Sequence, residues 1–159
     1  MLSLKLLFLL LVANGAPILV TKALGGRWNW PVDGGARFRD GRPMLGPSKT
    51  WRGVLAAILM TGAAAELLGL PARLGFLFGT GVMLGDLCSS FVKRRLGRPS
   101  GGMALGLDQV PESLFPLLAV RRELALETAD IAGLVVIFLA LDLVLSRLLY
   151  ALHIRAQPH

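Results

Sequence analysis

Apolar residues fall into five blocks, and the breaks between them predict the elements. Residues 2–24 carry charge only at Lys5 and Lys22, and an apolar stretch of about 20 residues crosses a bilayer as a helix. A basic start followed by the small residues Ala13 to Ala16 also fits a signal peptide. Apolar character resumes after Pro17, however, which favours a retained helix kinked at that proline. The second block, 51–70, is rich in small residues (Ala56, Ala57, Gly62 to Ala65) that let membrane helices approach closely. Pro71 and Arg73 mark a tight turn. The third block, 74–92, contains two G-x-x-x-G pairs, Gly75/Gly79 and Gly81/Gly85, again read as packing sites within or between chains. Residues 108–120 are apolar but few, with Pro111 and Pro116; such a span is tolerated only among other helices. Residues 128–152 form the last span, and a polar tail with His153 and His159 follows. The expected fold is all-α: a single polytopic membrane domain over 1–159, with about five transmembrane helices and loops at about 25–50 and 93–107.

The first loop collects six glycines, three prolines and five cations between Gly25 and Thr50, a composition of turns. A connector of that length is either functional or disordered. Trp28, Trp30, Phe38 and Trp51 predict that it packs at the membrane interface. Five spans put the termini on opposite sides. With the N-terminus outside, Arg27, Arg37, Arg39, Arg42, Lys49, Arg52, Lys93, Arg94, Arg95, Arg98 and Arg155 all lie inside, leaving Lys5, Arg73, Arg121 and Arg122 outside. That asymmetry predicts cytoplasmic loops on an inner membrane.

Composition narrows the class. With 54% hydrophobic and only 17% charged residues in 159, the chain departs from a soluble domain. A net charge of +7 would suggest nucleic acid in a soluble protein. Aromatic residues are too sparse for a base-stacking surface, and basic loops beside anionic lipid account for the excess. The single Cys88 excludes an intramolecular disulfide and a cysteine metal cluster, and is expected as a small packed hydrophobe.

Three polar clusters can carry chemistry. The first is Gly46-Pro47-Ser48-Lys49-Thr50-Trp51-Arg52-Gly53. It is not a P-loop, because Pro47 and Ser48 separate the glycine from the lysine and no strand precedes it. It can still bind phosphate at a helix N-terminus capped by Ser48 or Thr50, with Lys49 and Arg52 adding charge; the plainer reading is a capped helix with snorkelling cations. In the second, Asp86, Ser90 and Arg94 share one helix face at i, i+4 spacing with Lys93 beside it. A carboxylate in an apolar span is a functional-site hypothesis by default, and a helix-end charge pair is the alternative. The third is Asp108 and Glu112, also i, i+4. Together with Asp86 they can hold Mg²⁺, which takes one or two carboxylates plus phosphate oxygens and water. Asn14 reads as an interhelical hydrogen bond or a ligand contact, and Asp142 as the partner of a cation on a neighbouring helix.

Asn14-x-x-Pro17, Pro31-Val32-Asp33-Gly34, Gly46-x-Ser48-Lys49-Thr50-Trp51-Arg52-Gly53, Gly85-Asp86-x-x-x-Ser90-Phe91-x-Lys93-Arg94-Arg95 and Leu107-Asp108-Gln109 occur in that order. Over roughly residues 10–115 this series resembles the CDP-archaeol synthase family, related to the CDP-diacylglycerol synthases. The resemblance implies a five-helix, Mg²⁺-dependent membrane cytidylyltransferase that joins CTP to a phosphorylated lipid alcohol and releases pyrophosphate. It implies Asp86 and Asp108 as metal ligands, and Asn14, Asp33, Lys49, Arg52, Ser90, Lys93 and Arg94 around the nucleotide. The second acid that related enzymes carry three residues after the aspartate is Pro111 here, and the next acid is Glu112. The rival classes are a non-catalytic binder of anionic lipid and a small transporter, the latter disfavoured by the lack of an internal repeat.

Overall fold

The computed structural model describes residues 1–102 and 104–151, with side chains through 145; His153, Arg155 and His159 lie outside the described residues. Five helices follow one another: α1 (Leu2–Leu24), α2 (Trp51–Leu67), α3 (Ala72–Arg95), α4 (Gln109–Val120) and α5 (Thr128–Ala151). The expected all-α membrane architecture holds. Helices α1, α3 and α5 are long and apolar enough to cross a membrane. With 12 residues, α4 reaches about 18 Å at 1.5 Å per residue, well short of a hydrocarbon core. It is accommodated as expected, packed between α3 and α5.

Helix α3 is the axis of the bundle, with α2 on one side and α4 on the other. Its two glycine pairs divide that work. A Cβ at Gly75 or Gly79 would run into Ala57, Thr61, Gly62 and Ala65 of α2, whereas one at Gly81 would lie 2.6 Å from Pro116 Cα and one at Gly85 would overlap the Pro111 carbonyl of α4. Backbones can meet this closely only where no side chain intervenes. Leu6, Leu9 and Leu10 of α1, Phe78 and Val82 of α3, Leu117 of α4 and Phe138 of α5 complete the core.

The first loop is ordered by pairing with itself. Val32 N–H donates to Lys49 O and Trp51 N–H to Trp30 O; nearer the tip, Phe38 N–H donates to Arg42 O and Met44 N–H to Ala36 O. Trp28, Trp30 and Trp51 point outward, as expected for an interfacial loop. The loop lies across the C-terminal end of α3, where Ser48 Oγ meets Ser100 Oγ of the second loop at 3.0 Å. Both loops therefore occupy one end of the bundle. The opposite end is marked by the Arg73–Glu123 ion pair, between the first turn of α3 and the turn after α4.

Two expectations about side chains are corrected. Cys88 is exposed on α3, so it faces the surroundings of the bundle and not a packed core. Among the described residues Asp142 pairs with no cation; it accepts a hydrogen bond from Gln109 Nε2 at 2.8 Å. Removing that acceptor with Asp142→Leu should strand a buried amide and cost about 1–3 kcal/mol, whereas Asp142→Asn keeps an acceptor oxygen. Thermal unfolding of both variants in lipid nanodiscs checks this: the leucine protein should melt lower and the asparagine protein near wild type.

Candidate functional site

The close approach at Gly85 and Pro111 determines what lies beside it. The next residue on α3 is Asp86, and the next on α4 is Glu112, 9% exposed. Glu112, whose backbone N would lie 2.7 Å from a Cβ at Gly85, is close enough to Asp86, Lys49 and Asp108 for their charges to act on it. Lys49 reaches in from the first loop and pairs with Asp86 Oδ1 at 2.6 Å. About two turns further along α3, Lys93 is 2.6 Å from Asp108 Oδ1 and donates to Gly102 O at 3.0 Å. Arg94 donates to Pro99 O at 2.7 Å. Lys93 and Arg94 are only 5% and 4% exposed, and charges so buried are stable only with partners.

The partnering is incomplete at this spot. Ser90 Oγ and Arg94 Nε are buried with no hydrogen-bond partner. Asp108 Oδ1 accepts no well-aligned hydrogen bond despite the proximity of Lys93, although its Oδ2 accepts from Ala104 N–H at 2.8 Å. The unfilled donors, next to two buried cations, suit an anion, and the carboxylate oxygen suits a cation.

The remaining sequence candidates frame the site. Thr50 caps α2, its hydroxyl accepting from Gly53 N–H at 3.4 Å. Ser48 joins the two loops. Arg52 bonds Gly25 O at 2.8 Å and also Arg27 O, closing the start of the first loop. Asn14 does not make the interhelical hydrogen bond with its amide nitrogen, which returns to Leu10 O of its own helix at 3.0 Å; its side-chain oxygen is left for the ligand contact that the sequence also suggested.

Asp33 is spent on the loop itself. Its Oδ2 accepts from Leu45 and Gly46 N–H at 2.8 and 3.0 Å and its Oδ1 from Gly35 N–H at 3.0 Å. Burial pushes this carboxyl up, but the Gly46, Leu45 and Gly35 amides outweigh it and hold it below its ordinary 3.8. A lowered folded-state value means stabilisation that is fully present above pH 3.8 and disappears as pH falls through the depressed value. The amides of Leu45 and Gly46 should therefore stay protected from hydrogen exchange at pH 5 and lose protection only below that ordinary carboxylate range; in Asp33→Asn they should be less protected at both.

Sequence reasoning missed Gln109 as a link between the site and α5. Its Oε1 accepts from Gly106 N–H at 2.9 Å while its amide holds Asp142. It also gave no role in the site to Asp40, Arg42 or Arg95, counting the two arginines only among the cytoplasmic cations.

Comparison with known proteins fits this geometry. The CarS-like CDP-archaeol synthase family model matches residues 1–71 and 67–159, together the whole chain. The chain belongs to the CDP-archaeol synthase family. It is 44% identical over 117 residues to the CDP-archaeol synthase of Hyperthermus butylicus, an alignment covering 69% of this chain and 66% of that protein. It is 33% identical over 154 residues to that of Sulfurisphaera tokodaii, covering 93% and 89%. A solved structure of an intramembrane enzyme for archaeal membrane lipids biosynthesis superimposes with a TM-score of 0.74 at 34% identity, over 89% of this chain and 90% of that one. The Sulfurisphaera tokodaii relative and the solved structure thus share most of the length that contains α1 to α5 and both loops.

The donor set suits a divalent ion in kind: Asp86, Asp108 and Glu112 offer hard oxygens, and Mg²⁺ prefers such ligands with phosphate and water completing its shell. Among the described residues, no three acids already stand in metal-ligand positions. Lysine ammonium groups sit on two of the carboxylates instead.

Proposed function

We propose that this protein transfers a cytidylyl group from CTP to a phosphorylated lipid, giving a CDP-lipid and pyrophosphate. The observation that carries the reading is the meeting of Lys49, Lys93 and Arg94 with Asp86, Asp108 and Glu112 at the end of the bundle where both loops fold. The names of the relatives make a phosphorylated archaeol, an ether-linked isoprenoid lipid, the proposed acceptor. The charge asymmetry described above supports a cytoplasmic position for this end, with the N-terminus outside.

An oxygen of the lipid phosphate attacks the α-phosphorus of CTP; a new P–O bond forms as the bond from the α-phosphorus to the bridging oxygen of pyrophosphate breaks. The nucleophile is already an anion, so no strong protein base is needed. What the site must do is hold two anions against their mutual repulsion and neutralise the leaving group. Lys49, Lys93 and Arg94 are the cations available for that, Ser90 Oγ adds a free donor, and the N-terminus of α2 behind Lys49 adds its dipole. Bound Mg²⁺, held by Asp86, Asp108 and Glu112, would supply Lewis-acid neutralisation of phosphate oxygens. Glu112, buried beside Asp86, occupies the role left open by Pro111.

The test is transfer from α-labelled CTP, with and without Mg²⁺, to isoprenoid-ether and diacyl lipid phosphates by purified protein in lipid. Mg²⁺-dependent formation of a CDP-lipid is expected, with the ether lipid preferred. Binding of lipid phosphate with no transfer to either acceptor would favour the non-catalytic reading.

A further inference from the structure

Arg95 makes more polar and stacking contacts than any side chain assigned to the reaction, although its Nε, like that of Arg94, is buried without a hydrogen-bond partner among the described residues. Its guanidinium lies over the Phe38 ring at 4.8 Å and over the Phe91 ring at 5.0 Å, while those rings meet edge to face at 5.3 Å. The same group pairs with Asp40 Oδ1 at 2.5 Å and donates to the carbonyls of Arg42 and Pro43. The fastening is reciprocal, because Arg42 donates back to the carbonyls of Arg94 and Arg95 at the end of α3. Phe38, Asp40, Arg42 and Pro43 belong to the tip of the first loop, and Phe91 and Arg95 to α3.

We infer that Arg95 is a positioning residue: it straps the tip of the first loop across α3, and so sets Gly46 to Lys49 over Asp86 and Ser90. The inference rests on the cytidylyl-transfer reading for its kinetic consequences, not for the strap itself. Position matters because the loop descends from this tip into the site within a few residues. Gly46, at φ 97°, passes so close to the second loop that a Cβ there would lie 2.7 Å from Ser100 Oγ. Three residues later Lys49 pairs with Asp86. A tip free to lift would carry Lys49 away from the nucleotide phosphates.

The ion pair is the weaker part of the strap. Asp40 is 39% exposed at its side chain, and ion pairs in such settings contribute little. The planar guanidinium stacked on two rings, with both edges donating, is the part that lysine cannot reproduce.

Arg95→Ala, Arg95→Lys and Asp40→Asn in full-length protein in lipid test this with two readouts. In the first, tryptic cleavage after Arg37 without ligand should speed up about tenfold in both Arg95 variants, the equivalent of losing one or two such contacts, and little in Asp40→Asn. In the second, the KM for CTP should rise about tenfold in the Arg95 variants while kcat stays within about threefold, the pattern of lost ground-state positioning. Cleavage at the wild-type rate in Arg95→Ala overturns the strap. So does a fall in kcat with unchanged KM, which marks a loss of folded protein. Full rescue by Arg95→Lys overturns the stacking argument. If the wild-type protein neither binds nor transfers CTP, the cytidylyl reading fails alone, and cleavage still decides the strap.

Discussion

Asp86→Asn should lower cytidylyl transfer by about three orders of magnitude or more, about 4 kcal/mol of barrier, while the protein stays folded. The substitution keeps the shape of the side chain and removes its charge. Two losses then coincide. The carboxylate paired with Lys49 no longer offers an anionic oxygen to a divalent ion, and an ion left with only Asp108 and Glu112 neutralises the triphosphate poorly. Lys49 also loses the partner that orients it. Stability should change much less, since Asp86 is not fully buried (its side chain is 16% exposed) and the released lysine can reach solvent at the loop. The check is initial rate against thermal midpoint for wild type and variant in the same nanodiscs. A rate within tenfold of wild type would remove Asp86 from the reaction.

The second large effect is on the fold. Gly85→Ala puts a methyl group into the Pro111 carbonyl and close to Glu112 N. Backbone cannot yield as a side-chain tip can, so α3 and α4 must separate. Overpacking of this kind costs about 1–3 kcal/mol, sometimes more, and here it also moves Asp86 away from Glu112 and Asp108. Loss of both thermal stability and transfer is expected. Gly133→Ala is the matched control: nothing lies within 4 Å of a Cβ there, and the exchange should be neutral or slightly stabilising in a helix. Equal melting of the two variants would show that the α3–α4 contact is looser than described.

The helices were legible in the sequence because their signals are lengths and breaks: apolar blocks of bilayer size, the turn at Pro71, the glycines after Leu24. The glycine pairs were legible as contact sites, although not which helix each would meet. The facing of individual residues was hidden. Helices apolar on every side carry no periodic signal of orientation, so Cys88 was expected inward and stands outward. Polar partners across long separations were equally hidden. Nothing local to Asp142 names Gln109, and nothing local to Asp33 names the amides of Leu45 and Gly46, which lie in a loop without periodicity. Asp86, Lys93, Asp108 and Lys49 were each singled out because an ionisable group within or beside an apolar span demands a reason. Their pairing needed the fold, and Arg95 was masked by its two cationic neighbours.

The central claim is that acids of α3 and α4 and lysines of two separate segments make one site for a nucleotide triphosphate. A structure determined with CTP and Mg²⁺ tests it most directly. The account predicts the triphosphate between Lys49 and Lys93, with Asp86 and Asp108 on a common ion and Arg94 and Ser90 on phosphate oxygens. Nucleotide bound away from this end of the bundle, with Lys49 still on Asp86 and Lys93 still on Asp108, would contradict it.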